Sequence, residues 1–159
     1  MAPIIERIPP HETEAFRTLG YTIGGFIVFP SNRVDKKPTM NGARGLHPLI
    51  KDRMDLTLEC IRRYYQNEPS PLSDAISRYS DFFSLFQTFR GYVEYFLLQD
   101  LVTDDFGNVN YLMEFNNFSG PVVPRTLETY LRYKDKTESF VRNRSRRMTE
   151  YLLAPERAR

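Results

Sequence analysis

Residues 20–65 read GYTIGGFIVFPSNRVDKKPTMNGARGLHPLIKDRMDLTLECIRRYY. The opening run, residues 21–29, is rich in β-forming side chains and stops at Pro30, so it predicts a strand. Gly24-Gly25 inside that run predicts a bulge or another backbone in close approach. Residues 31–45 read as a loop or weak hairpin return that closes in the turn Asn41-Gly42-Ala43-Arg44-Gly45. Pro48 suits the first turn of a helix, and the pattern from there predicts an amphipathic helix over 48–65.

On a wheel of 3.6 residues per turn, Ile50, Met54, Leu58, Ile61, Tyr64 and Tyr65 share one apolar face. Asp52, Asp55, Glu59, Arg62, Arg63 and Gln66 fall opposite, and Asp55, Glu59 and Arg63, at i, i+4 and i+8, read as exposed surface pairs. Arg53 breaks the pattern. It projects beside Leu49, Thr57 and Cys60, within the apolar arc. A guanidinium there needs an anionic partner or a wet cavity, because burying it unpaired costs several kcal/mol, on the order of 3–5. Two partners are open. Asp100 is also a charge among apolar neighbours and predicts an internal salt bridge. The other is a bound anion. Arg44 sits in the turn just before the helix, whose free N–H groups attract phosphates and carboxylates. Asn41, Arg44, Arg53, Arg90 and Asp100 are therefore the candidate ligand-binding residues. The segment matches neither the P-loop nor the dinucleotide fingerprint.

The rest of the 159-residue chain predicts more helix. Glu12 to Leu19 forms a short helix stopped by Gly20. Ser70-Pro71 opens a second long helix over about 71–86. Thr88 caps a third, FRGYVEYFLLQDLV, apolar nearly all round and read as central. Gly91 in that helix points to close packing there. Residues 109–115 alternate weakly and predict a second strand. A long helix runs from about Arg125 to Leu153. The fold class is mainly α with a small β element: a single compact domain over 1–159 with about four main helices, a loose arm at 1–10 and a frayed tail at 154–159.

Composition narrows the function. Apolar residues make up 41% and aromatic residues 14%, all Phe and Tyr, enough for a proper core. Cys60 is the only cysteine and His11 and His47 the only histidines, which excludes an intrachain disulfide and any Cys- or His-based metal centre and leaves a carboxylate-bound Mg²⁺ open. No cofactor is implied. No apolar stretch approaches the ~20 residues of a membrane span, and MAPIIERIPP lacks the layout of a signal peptide, so a cytoplasmic protein with no membrane partner is expected. Cys60 reads as a buried small hydrophobe. Residues 1–124 carry a net charge of −3 and residues 125–159 a net of +5. Arg142, Arg146 and Arg147 spread over the outer face of the last helix, with Arg144 turned toward its apolar side. They raise a nucleic-acid reading, weighed against a solvated face with local ion pairs. The aromatic and arginine-rich helix also suits a protein partner or homo-oligomer.

TIGGFIVFP, NGARG, DRMDLTLECIRRYY and DFFSLFQTFRGYVEYFLLQDLV together resemble an uncharacterised family of bacterial cytosolic proteins, a domain of unknown function. The resemblance spans roughly residues 16–147. It implies a bacterial or phage origin and offers no catalytic residue to carry over. Members of that family run longer at the N-terminus, which implies a short member or a fragment. The functional expectation is a domain binding a phosphate-bearing small molecule or nucleotide at the start of the 48–65 helix. The alternatives are a protein-interaction module on the C-terminal helix and nucleic-acid binding through 142–147. Whether any of these involves catalysis is left open.

Overall fold

The apolar run 21–29 does not become a strand. Residues Ile23–Gly25 wind into a 3-10 turn instead. The cause is space. Gly24 is buried, and a Cβ there would collide with the Val141 carbonyl oxygen and the Ser145 hydroxyl of the last helix. The backbone N–H of Gly24 donates to Ser145 Oγ at 3.2 Å, so this segment spends its polar groups on a helix rather than on a neighbouring strand. The close approach expected at Gly24 is thus present, but as turn against helix.

The computed structural model describes residues 2–153. It is mainly helical, with eight α-helices among the described residues: α1 (Ala2–Ile5), α2 (Pro10–Gly20), α3 (Met40–Leu46), α4 (Met54–Tyr65), α5 (Ser73–Ser77), α6 (Ser80–Ser84), α7 (Phe89–Tyr95) and α8 (Leu127–Leu153). In place of four main helices, only α2, α4 and α8 exceed ten residues. Among the described residues the expected β element reduces to one antiparallel bridge, Val102 to Val109. The frayed tail expected at 154–159 lies outside the described residues.

The chain divides into two compact units, one from residues 1–27 with 123–159 and one from residues 28–122. In the first, α2 and the 3-10 turn pack on α8. Proline at its first position and Glu12 in its first turn suit the start of α2. Thr126 opens α8 by accepting the N–H of Thr129 at 3.1 Å. Residues 1–10, expected as a loose arm, hold α1 and a buried Ile8. Phe140, Val141 and Tyr130 are buried with it, and so is Arg144, 1% exposed. Its guanidinium donates to the carbonyls of Gly24 (2.9 Å) and Phe26 (2.5 Å).

The second unit holds α3 to α7 around Met40, Ile50, Leu58, Ile61, Leu72, Ile76, Phe83, Tyr92 and Leu98, all fully buried. The turn at 41–45 is part of α3, capped by Thr39, whose hydroxyl accepts the Gly42 N–H at 3.2 Å. Helix α4 starts six residues later than expected, because Lys51 (φ 44°) and Asp52 (φ 64°) take left-handed conformations that a helix cannot contain. The long helix expected over 71–86 is split into α5 and α6 around Arg78-Tyr79. Leu97 at φ 55° follows α7 and ends the third helix early. Gly91 does sit in a tight place: a Cβ would strike the Phe86 carbonyl.

Candidate functional site

Helix α4 is buried on the side that its charges made look wet. Asp55 is 0% exposed and Glu59 1%. What covers them is the stretch 109–118, of which residues 109–115 were expected as a strand. Its Leu112 N–H donates to Asp55 Oδ2 at 3.0 Å, a bond that takes the place of a strand partner. Two ion clusters result, one at each end of α4.

The first begins at Arg53. This residue caps α4 rather than lying within it. Its Nε donates to Asp55 Oδ1 at 3.0 Å, one terminal nitrogen donates to Asp55 Oδ2, and the other meets the Met113 sulfur at 3.6 Å. The carboxylate opposite Arg53 is therefore Asp55, not Asp100. Arg44 lies next to this pair. It donates from Nε to Thr57 Oγ1 at 3.0 Å and through its terminal nitrogens to the Asp52 carboxylate (2.5 Å) and the Asp52 carbonyl (2.9 Å). The Phe29 ring lies 5.8 Å from its guanidinium carbon. Thr57 completes the chain by donating to the Arg53 carbonyl at 2.8 Å. Burial pulls the Arg44 pKa down, and Asp52 opposes that shift. Both guanidiniums are spent on protein acceptors, which is the work of a strut.

The second cluster is Glu59 with Arg62 and Arg63. Arg62 grips the carboxylate through two nitrogens at 2.8 and 2.9 Å, and Arg63 Nε donates at 2.7 Å. Arg63 continues to Asn117 Oδ1 at 2.6 Å and lies over the Phe118 ring at 5.0 Å. Burial pushes the Glu59 pKa up, but hydrogen bonds from Arg62, Arg63 and Tyr111 outweigh it and hold the group below its usual value. Cys60, beside it, is buried.

The remaining candidates scatter. Asn41 is exposed on α3. Arg90 is exposed on α7, bonded to Glu94 at 2.8 Å and lying over Phe106 at 4.7 Å. Asp100 is half-buried in the 3-10 turn Gln99–Leu101. Arg44 and Arg53 are the two that the fold joins. On α8, Arg142 and Arg146 sit 3.9 Å from Glu138 and Glu150, one turn away on the same helix, and Arg147 is half-buried.

Open space lies elsewhere. The unit containing α2 and α8 has a groove of about 550 Å³, walled by aromatic and aliphatic side chains including Phe16, Tyr21, Tyr130 and Tyr133. The other unit carries a hollow of about 370 Å³ among Val28, Phe82, Leu85, Phe86, Tyr95 and Phe96. No sequence pattern marked the groove, because its walls come from two helices more than a hundred residues apart. Among the described residues no group of three or more His, Cys, Asp or Glu is placed to hold a metal ion. No helix there is long and apolar enough to cross a membrane.

Residues 1–148 match a family described as a family of unknown function (DUF6994), and the chain belongs to it. No curated protein and no solved structure matches the chain.

Proposed function

We propose that this protein is a small-molecule-binding domain and that its site is the groove between α2 and α8. One observation carries the reading. The groove's volume of about 550 Å³ falls within the ~300–1,000 Å³ of ligand pockets, and its walls are apolar and aromatic with a few polar groups among them. The anionic ligand expected from the sequence has a poorer seat at α4, where the Arg44 and Arg53 guanidiniums already donate within the protein. Thr137 lines the groove from α8. A Thr137→Phe variant fills it. An aryl-alkyl probe such as 4-phenylbutan-1-ol should raise the melting temperature of the wild type and leave that of the variant unmoved. Equal shifts in both proteins reject the groove.

A second reading is self-association through the unit of residues 28–122. Val28, Leu85 and Tyr95 are 68, 73 and 72% exposed beside the hollow they share with Phe82, Phe86 and Phe96. A contiguous exposed apolar patch marks an interaction surface. No charged side chain lines this one, so a two-fold axis can set it against its own copy without like charges meeting. Light scattering over a range of concentrations tests it. A dimer that Leu85→Glu turns into a monomer supports the reading, and a wild type that stays monomeric at the highest concentration ends it.

A further inference from the structure

The groove between α2 and α8 contains one charged lining residue, Arg17. It sits in the last turn of α2. Its guanidinium is held by Glu14, one helical turn earlier, with Nε to Oε2 at 3.1 Å and the second nitrogen to Oε1 at 2.8 Å. Both side chains are largely exposed, 65 and 60%. Such a pair is weak, because water screens it and two long side chains must be held in one geometry. It differs in kind from the buried ion pairs of α4. Those cannot open without stranding a charge, whereas this one opens into solvent.

Two threonines, Thr13 and Thr137, also line the groove. Each hydroxyl proton already goes to a backbone carbonyl, Pro10 and Tyr133 respectively, both at 2.8 Å. They meet a ligand as acceptors, not as donors to an anion. The Tyr21, Tyr130 and Tyr133 hydroxyls can serve an acid or an alcohol, so Arg17, the charged lining group, is the one that distinguishes an acid from a neutral molecule.

Resting on the groove reading above, we propose that the ligand is a monocarboxylic acid with an aromatic or hydrocarbon body, and that Arg17 recognises its carboxylate by exchanging it for Glu14. The body fills the aromatic walls and brings the carboxylate to the mouth at high local concentration. The planar guanidinium fork matches a carboxylate with two parallel hydrogen bonds. Glu14 stays within one turn of Arg17, so a second negative charge on the ligand is repelled. That favours a monoanion over a phosphate.

A matched pair of probes tests this, 4-phenylbutyrate and 4-phenylbutan-1-ol, titrated into ¹⁵N-labelled wild-type protein, Arg17→Gln and Glu14→Gln. Both substitutions fall on exposed positions of α2. The acid should bind the wild type a few-fold tighter than the alcohol, since its carboxylate pairs with Arg17 while the exposed pair it displaces is worth little. Arg17→Gln should remove that preference. Glu14→Gln should increase acid affinity a few-fold by leaving Arg17 uncontested. Alcohol affinity should stay within about twofold in all three proteins, because its binding rests on the apolar walls. Acid binding no tighter than alcohol binding, or a preference that survives Arg17→Gln, overturns the acid assignment while alcohol-induced shifts at Tyr130, Tyr133 and Thr137 keep the groove. If neither probe moves those resonances, the groove reading itself is lost.

Discussion

Arg53 and Asp55 are two residues apart, joined side chain to side chain, and 5% and 0% exposed. Backbone geometry makes this possible. Arg53 is the extended cap residue (φ −68°, ψ 127°) and Asp55 lies in the first turn of α4, so the guanidinium folds back along the helix start. Asp55 also accepts the Leu112 N–H, so one carboxylate ties the helix to the covering loop.

Removing either partner strands the other in a dry place. Asp55→Ala and Arg53→Met should each destabilise the protein by about 3–5 kcal/mol. Asp55→Ala should be the worse, since it also orphans a backbone N–H. The double variant should recover part of the loss, because no unpaired charge remains. Urea unfolding checks this through the midpoint, provided the slope stays constant. Additive losses in the double variant are the outcome that contradicts a coupled pair.

The glycines give opposite signs. At Gly24 a methyl group would meet the backbone of α8 at Val141 and Ser145. Gly24→Ala should therefore cost about 1–3 kcal/mol or more, the range for overpacking, and should weaken the Arg144 bonds to the Gly24 and Phe26 carbonyls. At Gly45, inside α3, a methyl group meets nothing within 4 Å. Gly45→Ala should stabilise by roughly 0.5–1 kcal/mol through helix propensity. Thermal melts of the two variants should move in opposite directions.

Legibility in the sequence followed locality. Arg53 was readable as an inward charge, Arg144 as leaning toward the apolar side, and α2 and α8 as helices, because each rests on spacing within one element. The partner of Arg53 was not. A helical wheel shows which residues share a face but not what covers that face, so Asp55 and Glu59 read as exposed until residues 109–118 lay over them. The helix ends were missed for a related reason. Lys51, Asp52, Gln87 and Leu97 adopt left-handed φ values between 44 and 64°. For lysine, glutamine and leucine nothing in the residue type announces that, unlike the glycine or asparagine that favours it. The glycines at 24 and 91 were informative as signs of crowding, although not of what crowds them.

Cys60 should be inert in the folded protein. It is 0% exposed, and burial pushes its thiol up to about 12, so thiolate is scarce at neutral and mildly alkaline pH. Labelling with a disulfide reagent should be negligible in native buffer and fast in denaturant, with a labelling midpoint that coincides with unfolding. Rapid native labelling would mean that α4 opens locally, well below the global transition.

Glu59 should contribute to the acid limb of stability. Burial raises its pKa, and the bonds from Arg62 and Arg63 more than reverse that, leaving a net depression from the model-compound value of 4.5. A depressed carboxylate contributes stability that is complete above the unfolded-state value and disappears as pH falls through the folded-state one. The loss from this group therefore belongs below about pH 4.5. Glu59→Gln removes the charge at every pH. The variant should be clearly less stable than the wild type at about pH 7, where Arg62 and Arg63 lose an ionised partner. As pH falls through the depressed folded-state pKa the wild-type residue takes up its proton and comes to resemble glutamine, so the two urea midpoints should converge in acid. A stability gap that stays constant from neutral to acid pH would place the contribution of Glu59 in its packing alone, not in the charge that Arg62 and Arg63 hold.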